Sequence, residues 1–305
     1  MYDIVIIGAG PAGLTAALYA CRAEKSVLVL ERATFGGQIT HSPKVENYPG
    51  FIQMSGTEFA DKLTEQVLSQ GAEIELDTAK SIEGTPGNYK ITGDFGEYEG
   101  KSVIIAGGSA HRKLNLPNED KFVGEGISYC AVCDGAFYKE KNVAIIGGGN
   151  SALQEAVMLS DICTSVTVIQ NLSFLTGEEK LIAEIGKRSN VSVIYSSIVT
   201  EILGEDTFSG IVIENTENGE KQELTFDGVF VAIGQKPENE PFANMVAVNE
   251  YGYIKSDESC VPENAPQGIF TAGDCRTKAV RQVATAISDG ATAAISACKF
   301  IDSLR

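Results

Sequence analysis

Two cysteines with two residues between them, Cys130 and Cys133, carry the clearest chemical signal in this chain, and Asp134 follows at once. Thiols at this spacing close a small ring with little backbone rearrangement, and a helix start beside them can lower one thiol's pKa, so the pair can exchange two electrons reversibly. The adjoining carboxyl can serve as acid or base for a departing thiol. Zinc would need two further ligands. There is no second Cys-x-x-Cys, and the histidines are His41 and His111, so no metal site is expected. An inert buried pair is the other bland reading, and Asp134 argues against it. Cys21, Cys163, Cys260, Cys275 and Cys298 stand alone and read as small core or helix residues, with Cys275 notable for its neighbour Asp274.

The second signal is a pair of glycine turns. Gly8-Ala9-Gly10-Pro11-Ala12-Gly13 follows the β-branched run Tyr2 to Ile7 and precedes an alanine-rich helical stretch. Glu31 ends the next strand, Ser26 to Leu30. In such a βαβ unit Gly8 permits the turn, Gly10 lets a pyrophosphate approach backbone N–H groups, Gly13 lets helix and strand pack closely, and a carboxylate at Glu31 can accept from a ribose diol. The order recurs at Val143 to Ile146, Gly147-Gly148-Gly149-Asn150-Ser151-Ala152, a helix from Leu153 to Ser160, and the strand Val166 to Ile169. Gln170 there holds the place of Glu31 at equal spacing. Two dinucleotide-type folds are therefore expected.

The remaining elements must carry these two signals. Gly56 to Gln70 reads as an amphipathic helix, and Glu73 to Leu76 and Tyr89 to Thr92 as short strands. Phe226 to Ile233 is a buried strand closed by Gly234, and Gly268 to Asp274 is a strand entering a turn. A helix from about Val280 to Phe300 is expected to break or kink near Gly290. The fold class predicted is α/β: two Rossmann-like, three-layer nucleotide-binding domains, the second inserted into the first. The boundaries are a first part over 1–113, a central dithiol domain over 114–242, and a second part of the first domain over 243–305.

Composition narrows the partners. The chain has 305 residues, and a net charge of −17 disfavours nucleic acid and anionic membranes. The uncharged run Ile4 to Cys21 contains Gly8, Gly10, Pro11 and Gly13, which fits strand, turn and buried helix better than a membrane span. No basic signal-peptide start precedes it, and seven cysteines, an odd number, do not suggest a secreted disulfide framework. A reducing cytoplasmic setting is expected.

The segment Cys130 to Tyr138 with Gly147 to Ala152, together with Gly36-Gly37-Gln38, Val45 to Gly50, Thr271 to Asp274 and Arg281-Gln282, resembles the low-molecular-weight thioredoxin reductases over nearly the whole chain. The resemblance implies FAD as cofactor, held around Gly8, Gly10, Pro11, Ala12, Gly13, Glu31, Gly37, Gln38, Asn47 and Gly107. It also places Asp274 near the ribityl chain and Arg281 and Gln282 close to the flavin. It implies that Cys133 exchanges electrons with the flavin, that Cys130 attacks the disulfide of a thioredoxin or similar small protein, and that Asp134 handles the proton. A homodimer and a rotation between domains are implied as well. Ala106-Gly107-Gly108 departs from the family's usual Ala-Thr-Gly.

A larger departure concerns the electron donor. NADPH-dependent members carry His-Arg-Arg-x-x-x-Arg where this chain has Gln170-Asn171-Leu172-Ser173-Phe174-Leu175-Thr176. Each charge-assisted hydrogen bond lost to the 2′-phosphate is worth on the order of 1.5 to 3 kcal/mol, so NADPH binding should weaken by orders of magnitude. Three readings follow: NADH bound through the retained turn, an empty second fold that carries the dithiol, or replacement arginines such as Arg188. In this loss the chain resembles the ferredoxin-dependent flavin thioredoxin reductases. Ferredoxin is then the expected donor, and Arg276, Lys278 and Arg281 are a candidate docking patch for that acidic partner. The rivals are an NADH- or NADPH-dependent reductase of thioredoxin or a peroxiredoxin-type protein, and a flavin-containing redox sensor without turnover.

Overall fold

The computed structural model describes residues 1–42 and 45–304. In chain order its elements are β1 (Tyr2–Ile7), α1 (Pro11–Arg22), β2 (Val27–Glu31), α2 (Gly56–Ser69), β3 (Glu73–Leu76), β4 (Ser81–Thr85), β5 (Asn88–Thr92), β6 (Glu97–Ile105), β7 (Ser109–His111), β8 (Ile127–Ser128), α3 (Ala131–Asp134), β9 (Asn142–Ile146), α4 (Asn150–Ser160), β10 (Ser165–Ile169), α5 (Glu179–Ile185), β11 (Val191–Ile194), β12 (Ser197–Leu203), β13 (Gly210–Asn215), β14 (Lys221–Thr225), β15 (Gly228–Val231), β16 (Gln235–Pro237), β17 (Ile269–Thr271) and α6 (Val283–Ser303). Among the described residues no helix is long and apolar enough to cross a membrane.

Two compact units divide the chain. The first takes Met1–Ala110 and Lys236–Arg305, and the second is His111–Gln235. The final residue, Arg305, lies outside the described residues. These boundaries differ from the 113/114 and 242/243 expected from sequence, for packing reasons. Phe242 is buried with Val5, Ile82 and Ile254 of the first unit. Asn239 Nδ2 donates to the carbonyls of Gly252 and Cys275, both at 2.8 Å. Leu114 and Leu116 pack with Phe122, Ile146 and Ile211 of the second.

The sheet of the first unit runs β3-β2-β1-β6-β5-β4, with β17 also on β6. Strands β3, β2, β1, β6 and β17 are parallel, and β4 and β5 form an antiparallel hairpin edge against β6. Both faces are buried, which is why β1 reads as an unbroken apolar run. Ile4 and Ile6 face the cluster built with α1 and α6, while Val5 and Ile7 face the opposite cluster. Because β2 and β6 flank β1 on opposite sides, a crevice opens beyond the carboxyl ends of β1 and β6, the usual ligand position in such sheets.

The second unit repeats the plan with an all-parallel sheet, β11-β10-β9-β15-β8, beside a separate antiparallel sheet, β12-β13-β14. Val143 and Ile145 of β9 face α4, and Ala144 and Ile146 face the other cluster.

One expectation is corrected. Helix α6 is continuous from Val283 to Ser303 and does not break at Gly290. A Cβ on Gly290 would lie 2.2 Å from the Ala12 carbonyl oxygen, so that glycine exists to let α6 cross α1 at close range.

Candidate functional site

The first glycine turn is built by close approach. Gly8 has φ +106°, and a Cβ there would meet the Ala106 carbonyl oxygen at 2.4 Å. One on Gly13 would sit 1.8 Å from the Gly8 carbonyl oxygen. Gly10 is different: its nearest neighbour to a Cβ is 3.9 Å away, so the side of the turn facing the crevice is open to a ligand. Gly10 caps α1, and Pro11 occupies the first helical position, where its missing N–H costs nothing. Glu31, 7% exposed, accepts the Ala9 N–H at 2.7 Å with one carboxylate oxygen and the Ala33 N–H at 2.9 Å with the other. It thus fixes the turn and keeps free lone pairs for a diol.

The segments that frame this turn come from both ends of the chain. Gly36 N–H bonds to the Ala9 carbonyl at 2.8 Å, and a Cβ on Gly37 would lie 3.3 Å from Gly10 Cα, so Gly37 and Gln38 lie beside the open glycine. Gly107 lies two residues past the end of the neighbouring strand β6, and a Cβ there meets no described residue within 4 Å, so the departure from the family's Thr is not forced by crowding. A Cβ on Gly273 would be 2.8 Å from Ala12 Cβ, which brings Asp274 to the start of α1. Asn47 Nδ2 donates to Gln282 Oε1 at 3.2 Å across 235 positions of sequence. Gln282 caps α6 through a reciprocal bond with Thr285.

Asp274 carries the most informative atom of this set. Its Oδ1 is buried with no hydrogen-bond partner among the described residues, and burial raises its carboxyl above the usual range, opposed by Lys278 and Arg281. Leaving such an acceptor unmet costs about 1 to 3 kcal/mol, a debt that a polyol hydroxyl would cancel. The donor set therefore fits the ribityl chain of FAD.

The proposed basic docking patch is corrected here. Arg276 is 1% exposed and lies in a buried fork on Asp289, at 2.9 and 2.8 Å; Lys278 Nζ meets the same carboxylate at 2.8 Å. Asp289 also accepts the Gly273 N–H at 3.0 Å, and these donors hold its carboxyl low against the upward push of burial. Arg281 lies with its guanidinium carbon 4.1 Å from the Tyr253 ring centroid. Two of the three cations are thus interior charges that share the Asp289 carboxylate of α6, and they offer no surface to an acidic protein.

In the second unit, Cys130 and Cys133 form a disulfide with Cα atoms 5.3 Å apart. Cys130 caps the single turn α3, and its sulfur receives the Cys133 N–H at 3.2 Å. Burial raises the Asp134 carboxyl, while the Ser128 hydroxyl, donating at 2.6 Å, lowers it. The Ser128 oxygen also accepts the Cys130 N–H at 3.1 Å. Sequence reasoning missed Ser128, whose signal was its position two residues before the first cysteine.

The second glycine turn repeats the first in form. Gly147 has φ +130°, and a Cβ there would meet the Ala232 carbonyl oxygen at 2.5 Å, while Gly149 has nothing nearer than 3.7 Å. What differs is the reader at the end of β10. Gln170 lies across Gly148, where a Cβ would clash with its amide at 2.5 to 2.9 Å. Its Nε2 donates to the Phe174 carbonyl at 3.0 Å and its Oε1 accepts the Asn171 N–H at 3.1 Å. Gln170 thus packs over the bare face of Gly148, and a side chain there would have to displace its amide. Arg188, considered as a substitute phosphate reader, is committed elsewhere: it pairs with Asp161, with Glu184 at 3.3 Å and with Ser160 Oγ at 2.6 Å.

Comparison with known proteins gives a consistent result. Residues 2–290 match the family model described as pyridine nucleotide-disulphide oxidoreductase. The chain is 42% identical over 300 residues to the "34.2 kDa protein in rubredoxin operon" of Clostridium pasteurianum, covering 98% of this chain and 97% of that one. It is 40% identical over 308 residues to the thioredoxin reductase of Bacillus subtilis, covering 100% and 96%. The crystal structure of thioredoxin reductase from Streptococcus pyogenes superposes with a TM-score of 0.94 at 36% identity, covering 99% of each chain.

Proposed function

The chain belongs to the pyridine nucleotide-disulphide oxidoreductases and, within them, to the low-molecular-weight thioredoxin reductases, and from that premise we propose that it is an FAD-dependent reductase of thioredoxin or a similar small disulfide protein, supplied with electrons by ferredoxin rather than NADPH. FAD, when bound, supplies the ability to collect electrons singly and deliver them in pairs. Gly8, Gly10, Pro11, Ala12, Gly13, Glu31, Gly37, Gln38, Asn47, Gly107, Asp274, Arg281 and Gln282 are the residues assigned to hold it, in a homodimer.

The chemistry of the chain's own residues follows from thiol–disulfide exchange. Once Cys130 and Cys133 are reduced, the Cys130 thiolate attacks one sulfur of the substrate disulfide and forms a mixed disulfide. The departing substrate thiolate takes a proton from Asp134, whose burial favours the protonated form. Cys133 then attacks the Cys130 sulfur, the second substrate thiol leaves, and the Cys130–Cys133 disulfide is restored.

The observation that carries the choice of donor is the lack of a phosphate reader after β10. Residues 170–177 contain no basic side chain, and Arg188 is bound to its own acids. A second reading, NADH as donor, is favoured by the open approach at Gly149, and Gln170 in place of a ribose-binding carboxylate counts against it.

Anaerobic titration of flavin absorbance separates these donors. Reduced ferredoxin should bleach the flavin stoichiometrically, and NADPH should leave it oxidised. Bleaching by NADPH or NADH at micromolar concentration overturns the donor assignment. Protein that stays colourless after reconstitution with FAD overturns the whole reading. Cys130→Ser should abolish disulfide reduction while flavin stays bound.

A further inference from the structure

Glu155 is a carboxyl group for which the mechanism above has no use. It lies on α4, the helix on which the dithiol turn α3 rests. The packing there is tight: a Cβ on Gly135, immediately after α3, would touch the Leu159 and Met158 side chains at 3.0 and 3.1 Å. Ala131, the first residue of α3, is buried in one cluster with Ala152, Leu153 and Ala156 of α4. Among these apolar contacts the Glu155 Oε2 is buried without a hydrogen-bond partner among the described residues, and the carboxyl faces the backbone N–H of Ala131, the residue between Cys130 and Val132.

We propose that Glu155 is the positioning residue of the dithiol turn and that it takes up a proton when the Cys130–Cys133 disulfide is reduced. The inference rests on the reading of this pair as the working dithiol. Breaking the S–S bond leaves an electron pair on the two sulfurs, and one of them held as thiolate puts a negative charge at the end of α3 that Glu155 faces. A sulfur kept as thiolate by the start of α3 disfavours a second negative charge on the carboxyl facing that turn, so the carboxylate is the group that takes the proton. With a soluble dithiol as reductant the step balances. The reductant leaves as its cyclic disulfide, one of its protons goes to a protein sulfur, and the other goes to Glu155 while the second sulfur remains thiolate.

The setting of Glu155 suits this exchange. Burial pushes its carboxyl up to about 7, and the Ala131 N–H is the one group that pulls it down. The elements packed on α4 are α3, α5, β9 and β10. Their ionisable groups are Cys133 and Asp134 on α3 and Glu179, Lys180 and Glu184 on α5, with Cys130 and Tyr138 flanking the dithiol turn; β9 and β10 carry none. None of these side chains shifts Glu155, so its proton affinity is left to respond to charge on the sulfurs.

The test is infrared difference spectroscopy of the full chain, oxidised against dithiothreitol-reduced, at pH 8. Wild type should gain a protonated-carboxyl band on reduction. E155Q should lack that band, and D134N should keep it. In E155Q the remaining thiolate, read by its ultraviolet absorbance, should also titrate at a lower pH in a single step, each unit being a tenfold change in proton affinity. No band in wild type, or a band that survives E155Q and disappears in D134N, overturns the proposal. If E155Q does not fold, D134N alone decides, because a band lost there assigns the proton to Asp134. Failure here is separable from failure of the functional reading. A dithiol that cycles normally with no carboxyl band sinks only this inference, whereas one that dithiothreitol cannot reduce sinks both.

Discussion

Replacing Glu155 by Gln should make the oxidised protein more stable at alkaline pH and leave it unchanged at acid pH. The folded-state value of about 7 stands above the ordinary glutamate value of 4.5 because burial penalises the charged form. Between these values the folded chain binds the proton and the unfolded chain does not, so stability falls as pH rises through that window. The gap corresponds to about 3 kcal/mol, fully present as a penalty above pH 8 and absent below pH 4. Gln keeps the size of the side chain and cannot ionise. Urea unfolding followed by circular dichroism at pH 5 and pH 8 reads the effect. The difference between variant and wild type should be close to nil at pH 5 and approach about 3 kcal/mol at pH 8, a midpoint shift on the order of 1 M. A difference that is the same at both pH values would refute the argument, since it would mean that burial of the charge is not what separates the two proteins.

Other substitutions probe the remaining features. Asp289→Ala leaves Arg276 and Lys278 buried without their carboxylate and should cost about 3 to 5 kcal/mol, measured by thermal or urea unfolding. Gly290→Ala drives a methyl group into the Ala12 carbonyl and should destabilise the first unit by about 1 to 3 kcal/mol without touching the dithiol. Ser128→Ala removes the hydrogen bond that lowers Asp134, so the alkaline fall in disulfide-reductase turnover should move to higher pH, read from a pH–rate profile of the two proteins. Asp274→Leu removes the unpaired buried acceptor and should weaken FAD retention at least tenfold, read by equilibrium dialysis.

What could be read from sequence was local and periodic. Both glycine turns, their flanking strands and the Cys-x-x-Cys turn were legible because each depends on backbone geometry that a few residue types can adopt. Gly290 misled for the same reason. In sequence a glycine inside a helix signals a break, but here its cause is the Ala12 backbone, which lies far along the chain and is visible only after folding. The cluster Arg276, Lys278 and Arg281 looked like a surface patch because its counterion, Asp289, comes from another element. Arg188 looked available until Asp161 and Glu184 were placed beside it. In each case the sequence shows which charge is present, and tertiary packing decides whether it is already neutralised. Glu155 was unremarkable on a helix, because its burial and the Ala131 N–H it faces arise only after folding.

The pairing of β17 with β6 has a consequence for how the polypeptide is made. When a ribosome has added residue 235, the whole inserted unit is in hand, while the flanking unit still lacks β17 and the helix that covers the alanine face of α1. The dithiol turn can mature early; the crevice beside Gly10 waits for Asp274 and Gln282, both made only after the inserted unit. Until then the exposed alanines are a surface that a chaperone could shield, and a prematurely released chain would carry a finished sulfur switch on an unfinished cradle.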